Sequence, residues 1–254
     1  MTPGGLPILT YHAIEDSDSP LATGLARFDQ TIRRLIAAGW RGVNLAEWAE
    51  AGRPEVSGGF AVAFDDGLRS IGPALDLLAS LDVPATIFVV TDRVGLDSSW
   101  PGQPDRSRGA SLLDWSELAE FAGQGFVIGA HSRTHVRLDR LDDPTLNDEI
   151  VGSGDAIEAR LGRPCRLFAS PYGCTSRAAR EVIASRYDAG FGTRMGLASG
   201  RDRRESSPRF EAYYLRSDAV LDRLVTGRLG PWLALRRTLR AARGVAMGRL
   251  PVPA

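Results

Sequence analysis

The chain has 254 residues, of which 31 are basic and 31 acidic, giving a formal net charge of zero. That length suits one large α/β domain or two small ones, with an ample buried core, and the charge balance excludes a global field that would draw the protein to nucleic acid or an anionic membrane. Every basic residue is Arg, which removes Lys Schiff-base and Lys general-base chemistry, while Cys165 and Cys174 are too few for a disulfide framework and lack a C-x-x-C spacing.

Residues 1–5 carry neither the positive charge nor the apolar stretch of a secretion signal, and no later segment approaches bilayer-spanning length. A soluble, cytoplasmic protein is expected. The first apolar run, 7–14, reads as a buried strand, and helical periodicity follows over 28–38. Strand-like runs then recur at 60–64, 85–90, 126–130, 167–170 and 189–193. Between them, 71–80, 115–122, 144–161 and 176–185 have helical spacing. Residues 91–110 and 200–208, rich in Gly, Pro, Ser and charge, read as surface loops. This alternation predicts a parallel sheet, open or closed into a barrel, with chemistry collecting where strands run out into loops.

After Leu215 the pattern becomes helical again. Over 231–248, Trp232, Leu235, Leu239, Ala242 and Ala246 fall on one stripe, and Arg236, Arg237, Arg240 and Arg243 on the other side. Such a basic amphipathic helix can lie on an anionic membrane surface or pack its apolar stripe on its own domain.

The chemistry-bearing residues gather at strand ends. Two of the three histidines form His131-Ser132-Arg133-Thr134-His135 directly after the run 126–130. If the backbone curls there, both imidazoles can converge on one ion; two solvated loop histidines are the alternative. Asp65-Asp66-Gly67 closes the strand 60–64. A buried pair of adjacent carboxylates implies a cation or a proton to offset the charge, whereas a helix cap with a solvated neighbour needs neither. Two histidines and one carboxylate leave positions open on a zinc-like ion, and the second carboxylate is then free to take a proton. His12 ends the first strand and is read either as a core residue or as a member of the same site. The turn Pro171-Tyr172-Gly173 after the strand 167–170 can aim an N–H at an oxyanion.

These segments, in this order, resemble the polysaccharide deacetylase family over about residues 6–218. Phe64-Asp65-Asp66-Gly67 is similar to the family's first motif, His131-Ser132-Arg133-Thr134-His135 to its second, and Pro171-Tyr172-Gly173 to the core of its third. The resemblance implies a deformed (β/α) barrel of about seven β/α units, with residues 219–254 as a helical extension. It implies a divalent metal held by Asp66, His131 and His135, most readily Zn2+, with Co2+, Ni2+, Fe2+ or Mn2+ also suited to such ligands. It further implies Asp65 as general base, the Tyr172 N–H as an oxyanion donor and an N-acetylated saccharide as substrate.

The chain departs from the pattern twice. The Arg that leads the third motif is replaced by Ala169, and position suggests Arg194 or Arg216 as its substitute beside Asp65. The late Leu-x-His motif reads Leu215-Arg216-Ser217, with no histidine after His135. A branch acting on poly-N-acetylglucosamine exopolysaccharide also lacks that His and has an early Tyr-His strand, so His12 is a candidate proton donor. The expected activity is removal of N-acetyl from an amino sugar. Hydrolysis of a non-sugar amide such as a formamide, hydrolysis of an O-acetyl ester, and a catalytically weak carbohydrate-binding role are the alternatives.

Overall fold

A computed structural model describes residues 5–100 and 108–236. Among them the strands are, in chain order, β1 (Ile8–Tyr11), β2 (Ala13–Ile14), β3 (Ala22–Thr23), β4 (Arg41–Gly42), β5 (Gly59–Phe64), β6 (Ala85–Val89), β7 (Val127–Ala130), β8 (Leu167–Ala169), β9 (Ala189–Met195) and β10 (Ser207–Glu211). The strands β1, β10, β9, β8, β7, β6 and β5 follow one another in parallel pairing, and β5 returns to pair with β1. The result is a closed seven-stranded parallel barrel, with β4 added to β5 outside it.

Side chains alternate between two apolar clusters, as a barrel wall requires. Ile8, Ala61, Ala63, Phe88, Leu167, Ala169, Ala189 and Phe191 share the inner cluster. Their neighbours Leu9, Phe60, Val62, Phe64, Ile87, Val89 and Phe168 join the larger cluster that packs under the helices. Burial on both faces explains why these strands read as continuous apolar runs rather than alternating ones.

The helices are α1 (Leu25–Ala37), α2 (Leu45–Glu50), α3 (Gly72–Ser80), α4 (Trp115–Gly123), α5 (Asp143–Asn147), α6 (Ser153–Leu161), α7 (Arg177–Arg186) and α8 (Asp218–Val225). α1 buries Phe28, Thr31, Ile32 and Leu35 on one stripe. α4 starts at a capping box in which Asp114 accepts from the Glu117 N–H and Glu117 accepts from the Asp114 N–H.

The structure departs from the sequence expectation in identifiable ways. The run 7–14 breaks at His12, because only its first half pairs in the barrel while β2 turns away to pair with β3. The predicted helix 144–161 is one helical run interrupted by a π turn, Asp148–Gly152. β10 and α2 were not expected: β10 begins in the charged stretch read as loop, and α2 is a short helix started by an Asn44 cap.

The described end of the chain packs on the domain core. Residues 229–236 are helical, and Leu229 and Leu233 are buried in the main core while Leu235 is 57% exposed. The apolar stripe therefore starts on Leu229, Trp232 and Leu233, not on Trp232 and Leu235. Arg236 lies over the Tyr214 and Trp232 rings, at 5.2 and 5.3 Å. Leu239, Ala242, Ala246, Arg237, Arg240 and Arg243 lie outside the described residues. No helix among the described residues is long and apolar enough to cross a membrane.

Leu233→Ala is expected to cost about 2–5 kcal/mol of unfolding free energy and Leu235→Ala under about 0.5 kcal/mol, read from urea denaturation. Equal, small effects would show that this helix is not part of the folded core.

Candidate active site

The first two motifs meet at the ends of adjacent strands. β5 ends at Phe64, and the chain leaves it through two consecutive left-handed residues, Asp66 at φ 71° and Gly67 at φ 72°. A Cβ on Gly67 would come within 3.1 Å of Val89 Cγ1, so glycine serves the tight exit in both conformation and space. β7 ends at Ala130, and His131 N–H donates to the Val89 carbonyl. Beyond it, Ser132 and His135 are left-handed at φ 63° and 62°. That curl brings both imidazoles to one point.

Asp66, His131 and His135 each offer a ligand atom, and these atoms lie within 4.8 Å of one another in a buried cluster. Asp66 Oδ1 is 3.2 Å from His135 Nε2 and 3.5 Å from His131 Nε2. It nevertheless has no hydrogen-bond partner. His131 Nδ1–H donates to the Ala169 carbonyl at 2.8 Å, which leaves its Nε2 lone pair facing the carboxylate. Lone pairs converging on an unpartnered buried oxygen fit a bound cation, and the engaged Nδ1 is the usual orienting contact of a metal-ligating histidine. His135 Nδ1 is in turn 3.1 Å from the Tyr172 hydroxyl, and Trp100 packs its ring 4.4 Å from the His135 ring.

Burial pushes the Asp66 carboxyl up, but His131 and His135 outweigh it and hold Asp66 well below the usual carboxylate range. Burial also pushes both imidazoles down. For His131 the contact with Asp66 and the charges of Asp65 and Asp66 prevail and raise it; for His135 burial prevails and lowers it.

Asp65 has a different environment. It follows Ala61 and Ala63 on the inner face of β5, and its carboxylate accepts two parallel hydrogen bonds from Arg209, NH1 to Oδ1 and NH2 to Oδ2, both 2.7 Å. Arg209 stands on β10, only 1% exposed; its Nε donates to the Gly192 carbonyl and its guanidinium lies over the Phe88 ring. Burial pushes the Asp65 carboxyl up, but Arg209 and then His131 outweigh it and keep it below its ordinary value. Asp65 is therefore ionised at neutral pH.

The guanidinium that meets Asp65 is thus that of Arg209, and Arg194 and Arg216, expected beside Asp65, are engaged elsewhere. Arg194 pairs with Asp202 at 2.5 Å. Arg216 reaches the Ser19 and Ala22 carbonyls and covers the Tyr213 ring. The sequence reading missed Arg209 because the loop it assigned to 200–208 covers the start of β10 and no strand was assigned after 189–193. The available signal was the strand count: six runs were read, and a barrel of about seven units needs one more after 189–193.

His12 is half-buried and lies just past the end of β1, whose Tyr11 pairs with Phe64, so it sits beside the start of Asp65-Asp66. Pro171 is buried and leads into Tyr172, which is left-handed at φ 58° and 39% exposed. The structure therefore brings Asp65, Asp66, His131, His135, Tyr172 and His12 to one end of the barrel.

A family model described as polysaccharide deacetylase matches residues 55–187. That stretch carries Asp65, Asp66, His131, His135 and Tyr172 but neither His12 nor Arg209. No curated protein matches the chain. Among solved structures, IcaB from Ammonifex degensii superposes with a TM-score of 0.74 at 22% identity, over 90% of this chain and 99% of that one. The Streptococcus pyogenes deacetylase PplD, in complex with acetate, gives 0.72 at 21% identity over 83% and 93%. The BpsB deacetylase domain from Bordetella bronchiseptica gives 0.64 at 19% identity over 82% and 96%. These likenesses are likenesses of fold.

Arg209→Met strands the Asp65 charge in the barrel and is expected to lower stability by about 3–5 kcal/mol at pH 7.5. Adding Asp65→Asn should recover most of that loss. A lowered carboxyl pKa contributes stability above the ordinary carboxylate pKa and loses it as pH falls through the lowered one. The wild-type advantage over Arg209→Met should accordingly shrink in acid. Urea denaturation at both pH values checks the cycle; additive losses from the two substitutions would mean that the groups are not coupled.

Proposed function

Because the chain belongs to the polysaccharide deacetylase family, we propose that it hydrolyses the N-acetyl group of an amino sugar, with Asp66, His131 and His135 holding a divalent cation and Asp65 as general base. The observation that carries this reading is the division of labour between adjacent carboxylates. Asp66 Oδ1 faces two imidazole nitrogens without a hydrogen-bond partner, while Asp65 is kept ionised by Arg209 and stays off that cluster. Zn2+ suits two imidazoles and a carboxylate best, and Co2+, Ni2+, Fe2+ or Mn2+ are accommodated by the same donors.

When bound, the cation supplies Lewis acidity and makes a water molecule easier to deprotonate. Asp65 accepts the proton of the attacking water, and Arg209 fixes the carboxylate plane while it does so. The Tyr172 amide, presented by the left-handed turn after β8, stabilises the developing oxyanion, a contribution of about 2.7–4 kcal/mol per preorganised donor in comparable acyl-transfer sites. The leaving amine takes its proton from Asp65 or from His12. The exopolysaccharide-acting branch is the preferred substrate class, and in a cytoplasmic setting small glycosides or lipid-linked sugars would meet the site.

The direct test is acetate release from N-acetylated sugars, oligosaccharides and glycolipids by Zn2+- or Co2+-reconstituted protein. Metal-dependent release is expected, and Asp65→Asn should reduce kcat by about 10²–10⁴. No release from folded, metal-loaded protein would overturn the reading in favour of another amide, an ester or a binding role.

The pH profile has its own signature. Asp65 stays ionised well into acid, whereas protonation of His131, raised by its carboxylate neighbours, competes with cation binding as pH falls. The acid limb of kcat/KM is therefore expected to coincide with metal release, measured on the same samples. Activity lost at a pH where the metal is still fully bound would contradict this assignment.

A further inference from the structure

We propose that Glu149 is a positioning residue for the His131–His135 loop, and that the π turn Asp148–Gly152 is the device that delivers it. This inference rests on the metal-hydrolase reading above. The loop has two left-handed residues, Ser132 and His135; such backbone is strained and persists only when the surroundings over-determine it. Glu149, 6% exposed, supplies much of that determination. Its Oε2 accepts from the Arg133 and Thr134 backbone N–H groups at 2.8 and 3.0 Å, and its Oε1 accepts from the Thr134 hydroxyl at 2.6 Å.

The neighbouring residue works on the same loop. Asp148 takes the Arg133 guanidinium at 2.7 Å, and that guanidinium also reaches Asp92 at 3.1 Å. The carbonyls are held from the other side, Ser132 O by the Thr91 N–H and Arg133 O by the Asp92 N–H. Within the loop, His135 N–H donates to Ser132 Oγ at 3.0 Å.

The π turn is itself built. The Ile150 carbonyl accepts from the Ser153 hydroxyl at 2.8 Å and from the Tyr187 hydroxyl at 2.6 Å. Tyr187 can reach it because residue 154 is glycine: a Cβ there would lie 2.6 Å from the Tyr187 oxygen. π turns inside helices recur at functional sites, and here one places two consecutive acidic side chains against one loop.

The test is Co2+ affinity of the full-length protein, by chelator competition and Co2+ absorption, together with the melting temperature of the metal-free forms. Glu149→Ala is expected to weaken Co2+ binding by about 10–100-fold and to change the Co2+ spectrum. Glu149→Gln, which can still accept from both backbone N–H groups, should recover part of that affinity. Leu78→Ala, a core substitution on α3, provides a destabilised control that should bind Co2+ like the wild type.

Co2+ affinity within about threefold of wild type in folded Glu149 variants, or an equal loss in Leu78→Ala, would overturn the proposal and leave the deacetylase reading standing. A wild type that binds no Co2+ would sink both. If Glu149→Ala does not fold, Glu149→Gln and Thr134→Val decide. Thr134→Val removes only the hydroxyl contact and should cost several-fold in affinity; unchanged binding in both variants would count against the role.

Discussion

The site depends on one buried ion pair. Arg209 and Asp65 face each other inside a narrow barrel otherwise lined by Ala61, Ala63, Ala169, Phe88 and Phe191. Both are almost wholly buried, so each is tolerable only because the other is present in bidentate geometry. The consequence reaches beyond stability. A carboxylate locked in plane by a guanidinium cannot rotate towards His131 and His135, and Asp66 is left to face them alone. Two adjacent aspartates thereby acquire different chemistry from their surroundings.

The same logic explains where the backbone is strained. Non-glycine residues with positive φ include Asp66, Ser132, His135 and Tyr172, all at the site, besides Arg53 and Asp82 elsewhere. Each site residue lies just past the end of a parallel strand, where the chain must stop running along the barrel and turn its side chain or amide across the mouth. Strain of this kind is held by contacts from outside the loop and by hydrogen bonds within it. Glu149 and Ser132 hold the histidine turn, and the barrel strands hold the others: Asp65 N–H on the Tyr11 carbonyl, Ser170 N–H on the Phe191 carbonyl.

Much of this was legible in the sequence, for identifiable reasons. Doubly buried parallel strands leave unbroken apolar runs, so 60–64 and 126–130 announced themselves, and the chemistry follows such runs directly in the chain at Asp65-Asp66 and His131 to His135. β10 was hidden because Ser207, Arg209 and Glu211 put polar residues, and Pro208 a residue without an N–H, in a strand whose inner face carries the ion pair. Glu149 was hidden for a different reason. Its partners are backbone amides of a loop 15 or 16 residues away, and helical periodicity does not register a π turn.

The replacement of the expected motif Arg by Ala169 can be understood in the same terms. What Asp65 requires is a guanidinium on the barrel's inner face, and any strand with an inward position at that depth can provide one. β10 provides it through Arg209. Position 169 then serves through its backbone, since its carbonyl accepts from His131 Nδ1–H and fixes the ring. A small side chain there suits an interior that already holds Arg209, Phe88 and Phe191. The guanidinium that Asp65 needs thus comes from a strand that no local spacing around Ala169 would point to.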